Sequence, residues 1–206
     1  MRCEYCDTNF SRAEFCRVER AAGTAEFDLE KNLLSVRRAV ALIKKLAACP
    51  TQAVSFTGGE PLLQWEFVGE VAREIKKFGL KIFLETNGTL AAEYEKISDA
   101  VDIVSMDIKS PDLFAAHEKF LQAAHGKDLC VKMVVTGATT AEEFLAGVEL
   151  VARLDPTILL IVQPVTPIKN VRAPTARQLL EFQATALSKL KDVRIIPQTH
   201  KFMNLL

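Results

Sequence analysis

The stretch Ala53-Val54-Ser55-Phe56-Thr57-Gly58-Gly59-Glu60-Pro61 passes from a short apolar run through paired glycines into a segment that turns amphipathic from Trp65 onward. That succession is the sequence form of one βα unit. It recurs downstream, where the apolar runs 81–86, 103–108, 130–135, 158–165 and 193–197 join 53–57 as candidate strands. Most are nearly continuous, which predicts strands covered on both faces. Between them, apolar residues return at spacings of three and four: Leu33, Val36, Val40 and Ile43; Trp65, Val68, Ala72 and Ile75; Phe144, Val148 and Val151. Each set gives a helix one buried stripe. Thr140 with Glu143, and Thr175 with Gln178, are capping boxes that mark two helix starts.

Six such units fall short of the eight that close a TIM barrel. The expected fold class is therefore α/β, an open partial TIM-like (βα)6 barrel, with 1–206 as a single domain. Residues 1–27 read as an irregular segment around Cys3 and Cys6, and 28–206 carry the βα repeats. The turn-rich 166–174 stretch reads as a loop within the domain.

With 206 residues, 49% of them hydrophobic, the chain can bury a sizeable core. Lys plus Arg and Asp plus Glu both number 26, so no net charge favours a nucleic-acid backbone. No apolar run approaches the ~20 residues that span a bilayer, and Met-Arg-Cys-Glu-Tyr-Cys opens without a hydrophobic signal segment. The expectation is a cytoplasmic protein without nucleic-acid or membrane partners. Five cysteines in such a chain point to reduced thiols rather than a disulfide framework.

Ligands of parallel α/β sheets sit beyond the carboxyl ends of the strands. The polar residues there are Thr57-Gly58-Gly59-Glu60-Pro61, Thr86-Asn87-Gly88, Asp107-Ile108-Lys109, Gln163-Pro164 and Pro197-Gln198-Thr199-His200, and all are expected on one rim. Paired glycines there let the backbone come close to a small ligand, although a tight βα turn would need them too. Asp107 and Lys109 alternate with Ile108, so they point the same way, either into a site or into a buried ion pair. Cys3 and Cys6, two residues apart, fit zinc, iron-sulfur or thiol-disulfide chemistry. Zinc would want a second pair, and a thioredoxin-like pair would want a strand before it and a helix after it. Cys49 and Cys130 read as small buried hydrophobes, and His117 and His125 as exposed helix-surface residues.

Taken together, Cys3-Glu4-Tyr5-Cys6-Asp7-Thr8, Gly58-Gly59-Glu60-Pro61, Thr86-Asn87-Gly88, Ser105-Met106-Asp107-Ile108-Lys109, Gln163-Pro164-Val165 and Pro197-Gln198-Thr199-His200-Lys201 resemble the 7-carboxy-7-deazaguanine synthases, radical S-adenosylmethionine (SAM) enzymes of queuosine-precursor biosynthesis. The resemblance implies a radical SAM type of partial barrel. It implies Cys3 and Cys6 as ligands of a 4Fe-4S cluster, and SAM contacts from Gly58, Gly59, Glu60, Thr86, Asn87, Asp107, Lys109 and Gln163. Thr8 would serve Mg2+, and Thr57, His200 and the C-terminal Leu206 the substrate. The family's first cysteine, first strand and a Gln-Gly-Glu segment fall upstream of Met1, so an incomplete N-terminus is expected, with activity impaired.

The implied reaction begins with one-electron reduction of SAM to a 5'-deoxyadenosyl radical, which abstracts hydrogen from 6-carboxy-5,6,7,8-tetrahydropterin. Ring contraction with loss of ammonia then yields 7-carboxy-7-deazaguanine, a lyase reaction. A flavodoxin-type or other electron donor and a homodimer are implied as well. Two other readings stand beside it. An activating enzyme for glycyl-radical proteins shares the cysteine cluster, the Gly-Gly-Glu turn and the Asp-x-Lys segment. A non-catalytic SAM- or metal-binding paralogue would accommodate the missing cysteine.

Overall fold

The computed structural model describes residues 11, 13–47, 50–168 and 170–202. In chain order the elements are β1 (Phe15–Glu19), β2 (Phe27–Lys31), α1 (Val36–Leu46), β3 (Ala53–Phe56), α2 (Trp65–Lys76), β4 (Lys81–Thr86), α3 (Ala91–Glu95), β5 (Ile103–Ile108), α4 (Phe114–Ala124), β6 (Asp128–Val135), α5 (Ala141–Leu154), β7 (Leu159–Pro164), α6 (Ala176–Leu187), β8 (Val193–Ile195) and α7 (Thr199–Phe202). Strands β3 to β8 form one parallel sheet in sequential order. Right-handed crossovers that never reverse along the sheet place their helices on the same face. This is the α/β, partial TIM-like barrel arrangement expected from the six βα units.

One face of the sheet is buried and the other half-open. Ile82 and Leu84, Val104 and Met106, Val131 and Met133, and Leu160 and Val162 are buried in a single core. It includes Val68, Ala72 and Ile75 of α2 and Phe144, Val148 and Val151 of α5, as their spacing predicts. Tyr94 packs on Phe120 at 4.9 Å between ring centroids, and Phe144 stacks on Phe182 at 4.5 Å. Both capping boxes form, at Thr140 with Glu143 and at Thr175 with Gln178.

The alternate strand positions Ser55, Glu85, Asp107, Lys132, Ile161 and Gln163 remain partly or fully accessible. The expectation of strands covered on both faces is thus corrected. A singly wound sheet leaves its inner face without helices, and the polar residues of the runs collect there. Cys130 belongs to this inner face and is half-buried rather than a core thiol.

The structure also corrects the irregular reading of 1–27 where it is described. β1 and β2 form an antiparallel hairpin that pairs Phe15 with Lys31 and Glu19 with Phe27. Arg17 lies over the Phe27 ring at 3.8 Å, and Arg38 of α1 forms an ion pair with Glu30. Asn32 donates from Nδ2 to the Ala13 carbonyl at 2.9 Å, closing the base of the hairpin. Leu33, expected on the buried stripe of α1, precedes that helix and is 92% exposed. Ser35, the N-cap, ends the loop two residues later.

His117 is a further correction: expected at the surface, it is fully buried beneath the sheet exits, 0% exposed, while His125 is exposed as predicted. The α4 sequence alternates too evenly to mark which side of His117 faces inward. Neither ring nitrogen has a hydrogen-bond partner among the described residues. Burial pushes the imidazole pKa down to about 4, opposed by the nearby Asn87 main chain, which falls short of hydrogen-bond geometry.

A histidine held neutral in the folded state and free to protonate at its ordinary value of 6.5 when unfolded stabilises the fold above that value. The stability is lost as pH falls from 6.5 towards 4. Wild type should therefore lose about 2–3 kcal/mol more than His117→Leu between pH 7 and pH 4.5. Urea unfolding of both proteins at the two pH values measures this, and equal losses would contradict it.

Candidate functional site

The exits of β3 and β4 are fastened to each other by a single carboxylate. Glu60 caps the 3-10 turn that follows the paired glycines, accepting from the Leu62 amide at 3.1 Å. The same oxygen accepts from the Thr86 hydroxyl at 2.9 Å, and the other from the Asn87 amide at 2.8 Å. Burial pushes the Glu60 carboxyl above its usual range, and Asp107 adds to the rise, while the three donors pull the other way. The Thr57–Pro61 loop and the Thr86–Gly88 turn are therefore one rigid unit.

Two glycines make this unit possible. Gly58 has φ +115° and faces open space, with nothing within 4 Å of where a Cβ would stand. The backbone at the β3 exit is thus open to a ligand. Gly88 has φ +65°, and a Cβ there would lie 2.4 Å from Met106 Cε. A side chain at 88 would lift the turn off β5. Within the turn, Asn87 Oδ1 accepts from the Thr89 amide at 3.0 Å and the Thr89 hydroxyl at 2.6 Å.

Beyond this unit the inner face carries a row of charges across β4, β5 and β6. Lys109 Nζ donates to Asp107 Oδ2 at 2.6 Å. Lys132 Nζ lies 3.1 Å from Asp107 Oδ1 and 3.6 Å from Glu85 Oε2. Ser55 donates its hydroxyl to Glu85 Oε1 at 3.2 Å, which extends the row to β3. Asp107 and Lys109 thus combine both alternatives left open by their spacing: they are an ion pair, and they stand at the rim. Lys132 and Glu85 were not expected. Each lies inside an apolar run, and only the pairing register, Asp107 beside Lys132 and Glu85 beside Ser105, brings them together.

Among the described residues, the other predicted ones fall at the same edge. Gln163 and Pro164 end β7, and His200 stands in α7, half-buried. Gln198 Oε1 accepts from the Thr166 amide at 2.7 Å, tying the tail to the loop beyond Gln163. A cavity of about 680 Å³ opens at the β6 exit, between Thr136-Gly137, Arg172 and the capped start of α6 at Thr175 and Gln178. No sequence signal marked it, since its walls come from two loops. Cys3, Cys6, Thr8, Cys49 and Leu206 lie outside the described residues. Among the described residues no cluster of His, Cys, Asp and Glu could hold a metal ion, and no helix is long and apolar enough to cross a membrane.

With this geometry in place, comparison with known proteins is specific. The family model described as "Radical SAM superfamily" matches residues 1–171. A curated 7-carboxy-7-deazaguanine synthase from Geobacter sulfurreducens is 36% identical over 98% of this chain and 85% of its own length. One from Methanocaldococcus jannaschii is 33% identical over 100% of this chain and 88% of its own length.

Among solved structures, a domain of pyruvate-formate lyase-activating enzyme from Bacteroides vulgatus superposes with a TM-score of 0.60, at 16% identity over 70% of this chain and 99% of that one. A radical SAM methyltransferase from Sphaerobacter thermophilus gives 0.61, at 15% identity over 82% of this chain and 59% of that one. At those identities the likeness is one of fold, so it lends the activating-enzyme reading no support of its own. The chain belongs to the 7-carboxy-7-deazaguanine synthase family of the radical SAM superfamily.

Proposed function

We propose that this chain converts 6-carboxy-5,6,7,8-tetrahydropterin to 7-carboxy-7-deazaguanine and ammonia, a redox-neutral ring contraction of the lyase class, and that SAM binds along the rim of β3 to β7. The observation that carries the reading is the likeness to curated synthases along almost the whole chain, joined to a strand-exit rim at which Gly58, Glu60, Thr86, Asn87, Asp107, Lys109 and Gln163 stand. The residues fit SAM. Open backbone at Gly58 offers room and polar groups to its methionyl end, and Asp107 and Lys109 offer paired charges to its amino and carboxylate groups. Cys3 and Cys6 would hold a 4Fe-4S cluster, and Thr8 would offer oxygen to Mg2+. Bound together and reduced, cluster and SAM supply hydrogen-abstracting radical chemistry that no side chain can.

The chain's own residues then do the positioning. The Glu60 clamp fixes the glycine loop against the Thr86–Gly88 turn, so that the ligand meets a preorganised edge. Thr57 stands exposed at the β3 exit, where a pterin could reach its hydroxyl. His200, on the tail that Gln198 ties down, stands at the opposite end of the sheet, where it would close the pocket and exclude water. The inner sheet and its rim form a single domain with the rest of the chain under this reading.

Anaerobic iron-sulfur reconstitution of the gene product, with any in-frame codons upstream of Met1, tests the proposal when SAM, a reductant, Mg2+ and the carboxypterin are supplied. The expected result is pterin consumption with stoichiometric ammonia release. SAM cleavage with the pterin left intact would sink the substrate assignment. Glu60→Ala should lower folding stability by about 1–3 kcal/mol and weaken SAM binding at least about tenfold. Calorimetry of unfolding and equilibrium dialysis check the two effects, and unchanged affinity would refute the clamp's role.

A further inference from the structure

The row of charges on the inner face contains a residue to which no role has yet been given. Lys132 is 16% exposed, projects from the middle of β6 and stands between two carboxylates, Asp107 Oδ1 at 3.1 Å and Glu85 Oε2 at 3.6 Å. Asp107 is therefore held at both oxygens, by Lys132 on one and by Lys109 on the other. Glu85 is held in the same way, by Lys132 and by the Ser55 hydroxyl. Two lysines thus balance two carboxylates on a half-buried surface. The groups facing this row are Ser55 from β3, Glu85 from β4, Ser105, Asp107 and Lys109 from β5, Cys130 from β6 itself and Glu60 from the rim.

We propose that Lys132 is a positioning residue for the SAM site: it neutralises Glu85 and locks the Asp107 carboxylate, and so fixes where Lys109 presents its charge at the rim. This rests on the SAM reading of the rim given above and deepens it. The physical reason is electrostatic. Without Lys132, Glu85 and Asp107 are like charges on adjacent strands with no shared counter-ion, and a partly desolvated pair of that kind takes up a proton or moves apart. Either response frees Asp107 from one side and lets Lys109 follow it. A lysine serving only to fill space would produce neither effect.

Charge and space are separable by substitution. Lys132→Arg keeps the cation, Lys132→Met keeps most of the volume, and Lys132→Met with Glu85→Gln removes both the cation and the charge it offsets. SAM affinity of the reconstituted protein is measured by equilibrium dialysis between pH 6 and pH 8.5. The Glu85 and Asp107 carboxyl titrations are followed by carbon-detected NMR in the SAM-free protein.

At pH 8 Lys132→Met should weaken SAM binding at least about tenfold, and the NMR titrations should move upward relative to wild type, since a neighbouring cation has been removed. Lys132→Arg and the double variant should bind within about threefold of wild type. A Lys132→Met protein that matches wild type in affinity and titration overturns the proposal. So does a loss that neither arginine nor the Glu85 change restores, since that is the pattern of lost packing. Wild-type protein that holds a cluster yet binds no SAM overturns the reading of the rim itself, and the role of Lys132 with it.

Discussion

Parallel pairing is the constraint from which the site follows. Each of β3 to β7 must be followed by a crossover before its successor can pair with it in parallel, so all six strands leave the sheet at the same edge. Thr57–Pro61, Thr86–Gly88, Asp107–Lys109 and Gln163-Pro164 are far apart in sequence and share that edge for this reason. Sequential strand order adds a second consequence. With the helices on one face, the inner face is left to polar side chains, and the charges of Glu85, Asp107 and Lys132 meet there at the cost of stability that an apolar face would have provided.

Two devices turn the shared edge into an ordered site. Glu60 makes the β3 and β4 exits one unit through three hydrogen bonds, a strong arrangement because the acceptor is charged. The lysine-carboxylate row does the equivalent for β4, β5 and β6 through ion pairs. Loops that are to meet a flexible ligand, as proposed here for SAM, would otherwise have to be ordered on binding, and that entropy would be subtracted from affinity. Gly58 and Gly88 are the steric counterpart, one leaving space for a ligand and the other letting the turn close on Met106.

Much of this was legible in the sequence because the apolar runs and their turn residues are local signals. The strands at 81–86 and 103–108 are found with the limits expected, and the capping boxes at Thr140 and Thr175 form as read. What escaped depends on information carried across the fold. The hairpin of Phe15–Glu19 and Phe27–Lys31 has only short alternation and an exposed apolar residue, Leu29, where a core-facing strand would be buried. His117 could be placed only once the rotation of α4 against the sheet was known. Lys132 and Glu85 hid inside apolar strands because register, not composition, decides which strand residues become neighbours. The motifs at Gly58-Gly59-Glu60-Pro61 and Thr86-Asn87-Gly88 stand at the strand exits as expected, but the carboxylate that joins them is a three-dimensional fact.

The central claim is that the separate strand exits form one SAM site, and hydrogen exchange on the reconstituted protein with and without SAM tests it most directly. The account predicts protection concentrated together in 57–61, 86–89, 107–109 and the stretch following Gln163, with the outer helices unchanged. Protection confined to a single loop, or spread over the helices with none at the exits of β3 to β5, would contradict it.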